Sequence, residues 1–183
     1  MAGEIKRGLG TLIGNAGEYY VMAELLSRQV IAALAPRNAP AFDILATKGA
    51  RTVRIRVKSK RAQYTDWQWN AKEDGTIFRM LGSGDDDFTV LVDLTTARQE
   101  LSFWICPTAV VDTWLRDDFA QWLATPGAKG QQRSASNRKR HISYPRFRER
   151  LRPYHEAWDG LWVASNPPER DARAHGTREA KVG

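Results

Sequence analysis

Three charged side chains stand where the apolar pattern of the chain leaves no ordinary place for charge. On a helical wheel Glu18 falls at the azimuth of Val21, Met22 and Leu25, away from solvated positions such as Glu24. Asp43 follows Pro40-Ala41-Phe42 at the head of an apolar strand, and Lys58 belongs to a stretch that alternates apolar and basic residues. A carboxylate on a buried face is costly unless a cation, a metal ion or a hydrogen-bond donor offsets it. If Lys48 to Arg51 forms a hairpin turn, Asp43 comes opposite the middle of the next strand, where Arg56 and Lys58 point away from the core. Asp43 and Lys58 then meet at one spot, with Glu18 reaching in from the packed helix. Carboxylates beside an ammonium suit metal-assisted phosphodiester hydrolysis. Mg²⁺ (or Mn²⁺) takes carboxylate, water and phosphate oxygens, activates the attacking water and neutralises the leaving group. A lysine there can orient or deprotonate the water, or stabilise charge in the transition state. The plainer alternatives are a rim Glu18 paired with an arginine or a backbone N–H, and an Asp43 that only closes an Asx-turn after the prolines.

These residues need a helix and a hairpin to position them. Asn15 can cap a helix from Ala16 to Arg28, with Tyr19, Val21, Met22, Ala23, Leu25 and Leu26 as a broad apolar stripe. Val30 to Leu34 reads as a short strand, Pro36, Asn38 and Pro40 interrupt it, and 42–46 resumes in extended form. From Val53 to Lys60 the alternation is unbroken, so Val53, Ile55 and Val57 face inward and Arg54, Arg56, Lys58 and Lys60 share the other face. Tyr64 to Met80 is polar with Trp67 and Trp69. These could stack on unpaired bases if that segment is extended, although core or sheet-edge packing is the commoner fate of tryptophan. Gly82 to Asp87 is a loop by composition, and 88–92 and 101–106 read as buried strands. Pro107 opens a helix with Val111, Trp114, Leu115, Phe119 and Trp122 on its apolar face, which Pro126-Gly127 ends. Residues 128–143 read as a flexible basic linker, 144–162 as a further helix that Pro153 breaks or kinks, and disorder is expected from Ala164. The fold class is therefore α/β, a mixed α+β sheet domain over 1–125, with a basic linker and helix over 126–163 and a disordered tail over 164–183.

Charge bounds the partners. The 183 residues carry a net charge of +7. Residues 1–125 hold 15 basic and 15 acidic side chains, whereas residues 133–152 hold eight basic residues against Glu149 alone. Lys48, Arg51, Arg54, Arg56, Lys58, Lys60 and Arg61 form a second basic cluster with no acid among them. Two such clusters point to a polyanion, with a solvated basic tail as the bland alternative. DNA is the expected partner, through Arg54, Arg56, Lys60, Arg61, Arg138, Lys139, Arg140, Arg146 and Arg148. RNA is the weaker option, using the basic linker with Tyr144 and Phe147. The lone Cys106 excludes an internal disulfide, and with no leader-like start the expected setting is cytoplasmic. No apolar run approaches the ~20 residues a membrane-spanning helix needs. His141, His155 and His175 lack metal-ligand spacing, and Gly8, Gly10, Gly14 and Gly17 match no nucleotide-binding motif, so zinc and nucleotide chemistry are disfavoured.

Over residues 11–123 the chain resembles the PD-(D/E)XK nuclease superfamily, in its small bacterial branch of Holliday-junction-resolvase-like and intron-type endonucleases. The matching segments are Gly14-Asn15-Ala16-Gly17-Glu18, Asn38 to Ala46 around Asp43, and Val53-Arg54-Ile55-Arg56-Val57-Lys58. The resemblance implies a restriction-endonuclease-like αβββαβ core binding Mg²⁺. In it Asp43 and the residue two before Lys58 hold the metal, and Glu18 assists. It also implies DNA endonuclease activity, with branched or structured DNA among the substrates, and leaves open a homodimer. This sequence departs from the pattern at Arg56, where the family has Glu, Asp or Gln, and a guanidinium cannot ligate a cation. Glu18 could supply the missing oxygen, or Asp66, Asp85, Asp86 or Asp87 could move in. Arg56 could instead grip phosphate in a domain that binds DNA without cutting it.

Overall fold

The alternating stretch around Lys58 is a long strand, β3 (Arg51–Arg61), at the centre of a five-stranded sheet. The computed structural model describes residues 9–36, 39, 41–61, 64–79, 81, 85–94 and 101–163. Before β3 come helix α1 (Leu9–Ser27) and strands β1 (Ile31–Leu34) and β2 (Ile44–Lys48). After it come β4 (Asp66–Asn70), β5 (Asp87–Leu94), β6 (Ser102–Pro107) and helix α2 (Thr108–Ala124). The sheet order is β1-β2-β3-β5-β6, with β3 and β5 parallel and the other neighbours antiparallel. The fold is mixed α+β. Lys48 pairs with Arg51 around the expected two-residue turn, where Gly49 takes φ +61°, a conformation that penalises a Cβ. The leading helix and three-strand meander stand in the order that αβββαβ implies. Between β3 and β5 the described residues hold a strand, β4, where that order has a helix.

Side chains alternate across the sheet into two cores. On one face Val53 and Ile55 of β3, Val90 and Val92 of β5 and Phe103 and Ile105 of β6 meet Val21 and Leu25 of α1. On the other, Leu91, Trp104 and Cys106 meet Trp67, Phe78, and Val111 and Leu115 of α2. β5 and β6 are thus apolar on both sides, which is why their sequences read as continuous hydrophobic runs.

The basic stretch is more ordered than its composition indicates. Residues 128–143, expected as a flexible linker, contain β7 (Lys139–Ser143), which pairs with β4 so that Trp67 lies opposite Ile142 and Trp69 opposite Arg140. The further helix is shorter than expected. α3 (Tyr144–Leu151) gives way to 3-10 turns at Arg152–Tyr154 and Trp158–Leu161, with Pro153 where a missing N–H is tolerated. Trp158 and Leu161 join the α1-side core. The first helix begins at Leu9, ahead of the expected Ala16, so Asn15 lies inside it and does not cap it. The disorder expected from Ala164, and the loop glycines Gly82 and Gly84, lie outside the described residues. Among the described residues no helix is long and apolar enough to cross a membrane.

Candidate functional site

Glycine brings the helix carboxylate to the strand. A Cβ on Gly17 would lie 1.7 Å from Ser59 Oγ and 3.0 Å from Ser59 Cβ, so only glycine lets α1 pass this close to β3. The next residue, Glu18, lines a cleft of about 310 Å³ together with Thr11 and Asn15 of the same helix, Leu34, Phe42 and Asp43. Asp43 is fixed by both strands flanking it. Its N–H donates to the Ile55 carbonyl (2.9 Å), its carbonyl accepts from Ala35 N–H (2.8 Å), and its Oδ2 accepts the Val57 N–H (2.7 Å). That last bond satisfies a β3 donor just beyond the end of β2. A carboxylate has about four acceptor positions, so this bond does not exhaust it.

Asp43 and Lys58 shape each other's electrostatics. Burial raises the Asp43 carboxyl above its ordinary value, and the Val57 N–H and the charges of Arg56 and Lys58 oppose that rise. Burial lowers the Lys58 ammonium, and the Asp43 charge opposes it. Lys58 Nζ sits 5.4 Å from the centre of the Trp69 ring. It belongs to a ladder in which Arg56 lies over Phe78, Lys58 over Trp69 and Lys60 over Trp67.

That ladder corrects the expectation that Arg56 and Lys60 meet phosphate. Their face of β3 is roofed by the aromatic side chains of β4 and of residue 78. Lys60 is buried and ion-paired to Asp93, so its ammonium cannot reach a ligand. Arg56 is 11% exposed and forks onto Asp87, donating from Nε to Oδ1 (3.1 Å) and from a terminal nitrogen to Oδ2 (2.9 Å). It also donates to the Arg79 carbonyl at 3.0 Å. Asp87 in turn accepts from Thr108 Oγ1 at 2.7 Å. Arg56 therefore does not grip phosphate, and Asp87, though it arrives beside the site, is engaged as the counter-ion of Arg56. Arg54 pairs with Asp86 at 3.1 Å, Arg51 with Asp85 at 3.6 Å, and Asp66 accepts from Thr65 Oγ1.

The other expected contacts divide. Arg140 is buried over Phe119 and donates to the carbonyls of Asn137 and Lys139, so it is not a surface phosphate ligand. Arg146 is half exposed and paired with Asp118. Arg138, Lys139 and Arg148 are exposed, and Arg61 partly so. Trp67 is fully buried, with its ring against Trp104 and its Nε1–H donating to the Val92 carbonyl at 3.0 Å, so it stacks on protein and not on bases. The roofing of β3 went unread because its signal is tertiary. Only the alternation in Trp67-Gln68-Trp69 hinted at a covering strand.

The donor set fits a hard divalent cation only in part. Among the described residues no group of three or more His, Cys, Asp or Glu side chains could hold a metal ion. Two carboxylates, Glu18 and Asp43, share the cleft, and Mg²⁺ is commonly held by one or two carboxylates with waters and substrate phosphates completing the shell.

No protein-family model matches the chain, and no curated protein matches it. Among solved structures it is similar to a bacterial homing endonuclease, at 16% identity and a TM-score of 0.45, covering 82% of this chain and 91% of that one. It is also similar to the Holliday junction resolvase Hjc of Archaeoglobus fulgidus, at 15% identity and a TM-score of 0.43, covering 78% and 88%.

Proposed function

We propose that the protein is a divalent-metal-dependent nuclease that hydrolyses phosphodiester bonds of DNA. The observation that carries this reading is the placement of Asp43 beside Lys58, with Asp43 lining the same cleft as Glu18. Asp43 and Glu18 would hold Mg²⁺ or Mn²⁺, which when bound supplies Lewis acidity toward a phosphate oxygen and an activated water. Lys58 donates N–H bonds toward the phosphate, where negative charge grows as the phosphorus–oxygen bond breaks. The Trp69 ring and the Asp43 charge both attract its ammonium. The Val57 N–H holds the Asp43 carboxylate in a single orientation. Asp87 neutralises Arg56, so the arginine that replaces an acid need not repel a cation as a bare charge would.

The experiment is cleavage of plain and branched DNA in Mg²⁺ or Mn²⁺ by the wild type, Asp43→Asn and Lys58→Met. Cleavage by the wild type alone, with DNA binding kept in both variants, is the expected result. A second reading, a DNA-binding module without hydrolytic activity, is favoured by one observation: two carboxylates line the cleft, and the third acid position is an arginine locked to Asp87. Absence of cleavage by the wild type on every DNA tested, with no heat of divalent-metal binding, would select it.

A further inference from the structure

We infer a second nucleic-acid contact, for unpaired bases, on the surface between the C-terminal half of α2 and β7. Phe119 and Trp122, partly exposed on α2, stack with 5.5 Å between ring centres and 15° between planes. The Arg133 guanidinium lies 4.7 Å from the centre of the Trp122 ring, and that of Arg140 lies 3.2 Å from the centre of the Phe119 ring. Arg133 and the two rings are thus arrayed before any ligand arrives, with the buried Arg140 packed on Phe119 as the support of the stack. A hollow of about 140 Å³ beside them is lined by Phe119, Trp122, Asn137, Lys139, Arg140 and His141, together with Asp118, whose carboxylate is paired with Arg146. A wider hollow of about 500 Å³ shares Phe119 and Arg140 and extends to Asp74, Thr76 and Arg116, the last paired with Asp112, a size suited to a nucleotide.

Charge identifies the occupant as a polyanion. Residues 126–148 carry seven Lys or Arg and no Asp or Glu; with Arg140 buried and Arg146 paired to Asp118, the charges left are those of Lys129, Arg133, Arg138, Lys139 and Arg148. The flat groups narrow it further. A base in a duplex has its faces covered by neighbouring pairs, whereas an unpaired base offers a face to an aromatic ring or a guanidinium plane. Asn137 and His141 stand beside the stack as hydrogen-bonding groups for a base edge. A duplex would use only the charges. The choice of single-stranded DNA over RNA rests on the nuclease reading above; the stacking chemistry does not.

The test is fluorescence anisotropy in EDTA, with a labelled thymidine oligonucleotide, a uridine oligonucleotide and a DNA duplex of equal length. Trp122→Ala should weaken single-strand binding roughly 5- to 150-fold, the range for loss of a stacked base, and change duplex binding less than about twofold. Trp122→Phe should restore most of the loss. Arg133→Ala should weaken the single strand more than Arg138→Ala, which removes the same charge from an exposed side chain with no ring contact. Equal losses from those two arginine variants, or equal losses on single strand and duplex, would overturn the inference. Much tighter binding of the uridine oligonucleotide would overturn the assignment to DNA. Cleavage in Mg²⁺ reads the nuclease proposal and binding in EDTA reads this one, so failure of the cleavage reading and failure of this one appear in different measurements.

Discussion

Removing either partner of the Arg56–Asp87 pair should destabilise the protein strongly, and removing both should cost far less than the sum. The pair is out of solvent, with side chains 11% and 2% exposed, so water screens it little. Stripping one partner from a buried pair leaves an uncompensated charge, at about 3–5 kcal/mol. Arg56→Met belongs near the lower end, because an Arg54 nitrogen already lies 3.9 Å from Asp87 Oδ2 and Thr108 still donates to Oδ1. Asp87→Asn keeps Oδ1 for Thr108 and for the Arg56 Nε–H but removes the charge and the second prong of the fork, leaving an uncompensated guanidinium over Phe78, which again gives about 3 kcal/mol. With both charges gone, the double variant should fall about 2–3 kcal/mol short of the summed losses. Urea unfolding followed by circular dichroism measures this. At a slope of about 1–3 kcal/mol per molar, each single change moves the midpoint by roughly 1–3 M. Single losses below about 1 kcal/mol that simply add would refute the reasoning. They would mean that Arg56 is solvated, and that Asp87 does not shield Asp43 from its charge. Calorimetric titration with Mg²⁺ follows the same logic at the cleft, where Asp87→Asn should bind the ion more weakly than wild type.

Two further outcomes follow from the packing. Gly17→Ala should destabilise by about 1–3 kcal/mol in thermal or urea unfolding despite alanine's better helix propensity, and Ser59→Ala should recover part of that by removing the atom 1.7 Å from the new Cβ; a neutral or stabilising Gly17→Ala would disprove the close approach of α1. Burial raises the Cys106 thiol well above its ordinary 9.0, so the unfolded chain ionises first as pH rises. The contribution of the neutral thiol is complete below about pH 8.5 and is lost progressively at higher pH. A thiol reagent should therefore label Cys106 only in denaturant, and Cys106→Ala should flatten the alkaline fall in stability; labelling of the native protein at neutral pH would count against the buried position.

Much of the fold was readable because its signals are local. The alternation from Val53 to Lys60, the apolar runs at 88–92 and 101–106 and the turn at Gly49 each fix an element and its inward face without knowledge of neighbours. The hairpin then put Asp43 opposite Arg56 by register alone. What escaped depends on segments far apart in the chain. Lys139-Arg140-His141-Ile142-Ser143 has the composition of a linker and becomes a strand only because β4 offers it a partner and Ile142 a buried place. The charged face of β3 follows the pattern of a solvated face, and nothing in that strand reveals that Phe78, Trp69 and Trp67 cover it. Asp87 was visible as one of three successive aspartates. Its selection as the partner of Arg56 comes from the parallel pairing of β3 with β5, which places Asp87 against Arg54 in register and within reach of Arg56.

The roof over Lys58 also bears on how much chain the site requires. Trp69 is held over the lysine by β4, and β4 has its ladder partner in β7, some eighty positions downstream of Lys58. A fragment ending at residue 125 would keep Glu18, Asp43 and Lys58 in sequence, yet it would leave β4 an unpaired ribbon and let water back around the ammonium. Such a piece would contain every residue of the motif and still lack the environment that sets the lysine apart. The smallest stretch of chain that makes up the site is therefore longer than the stretch that spells it.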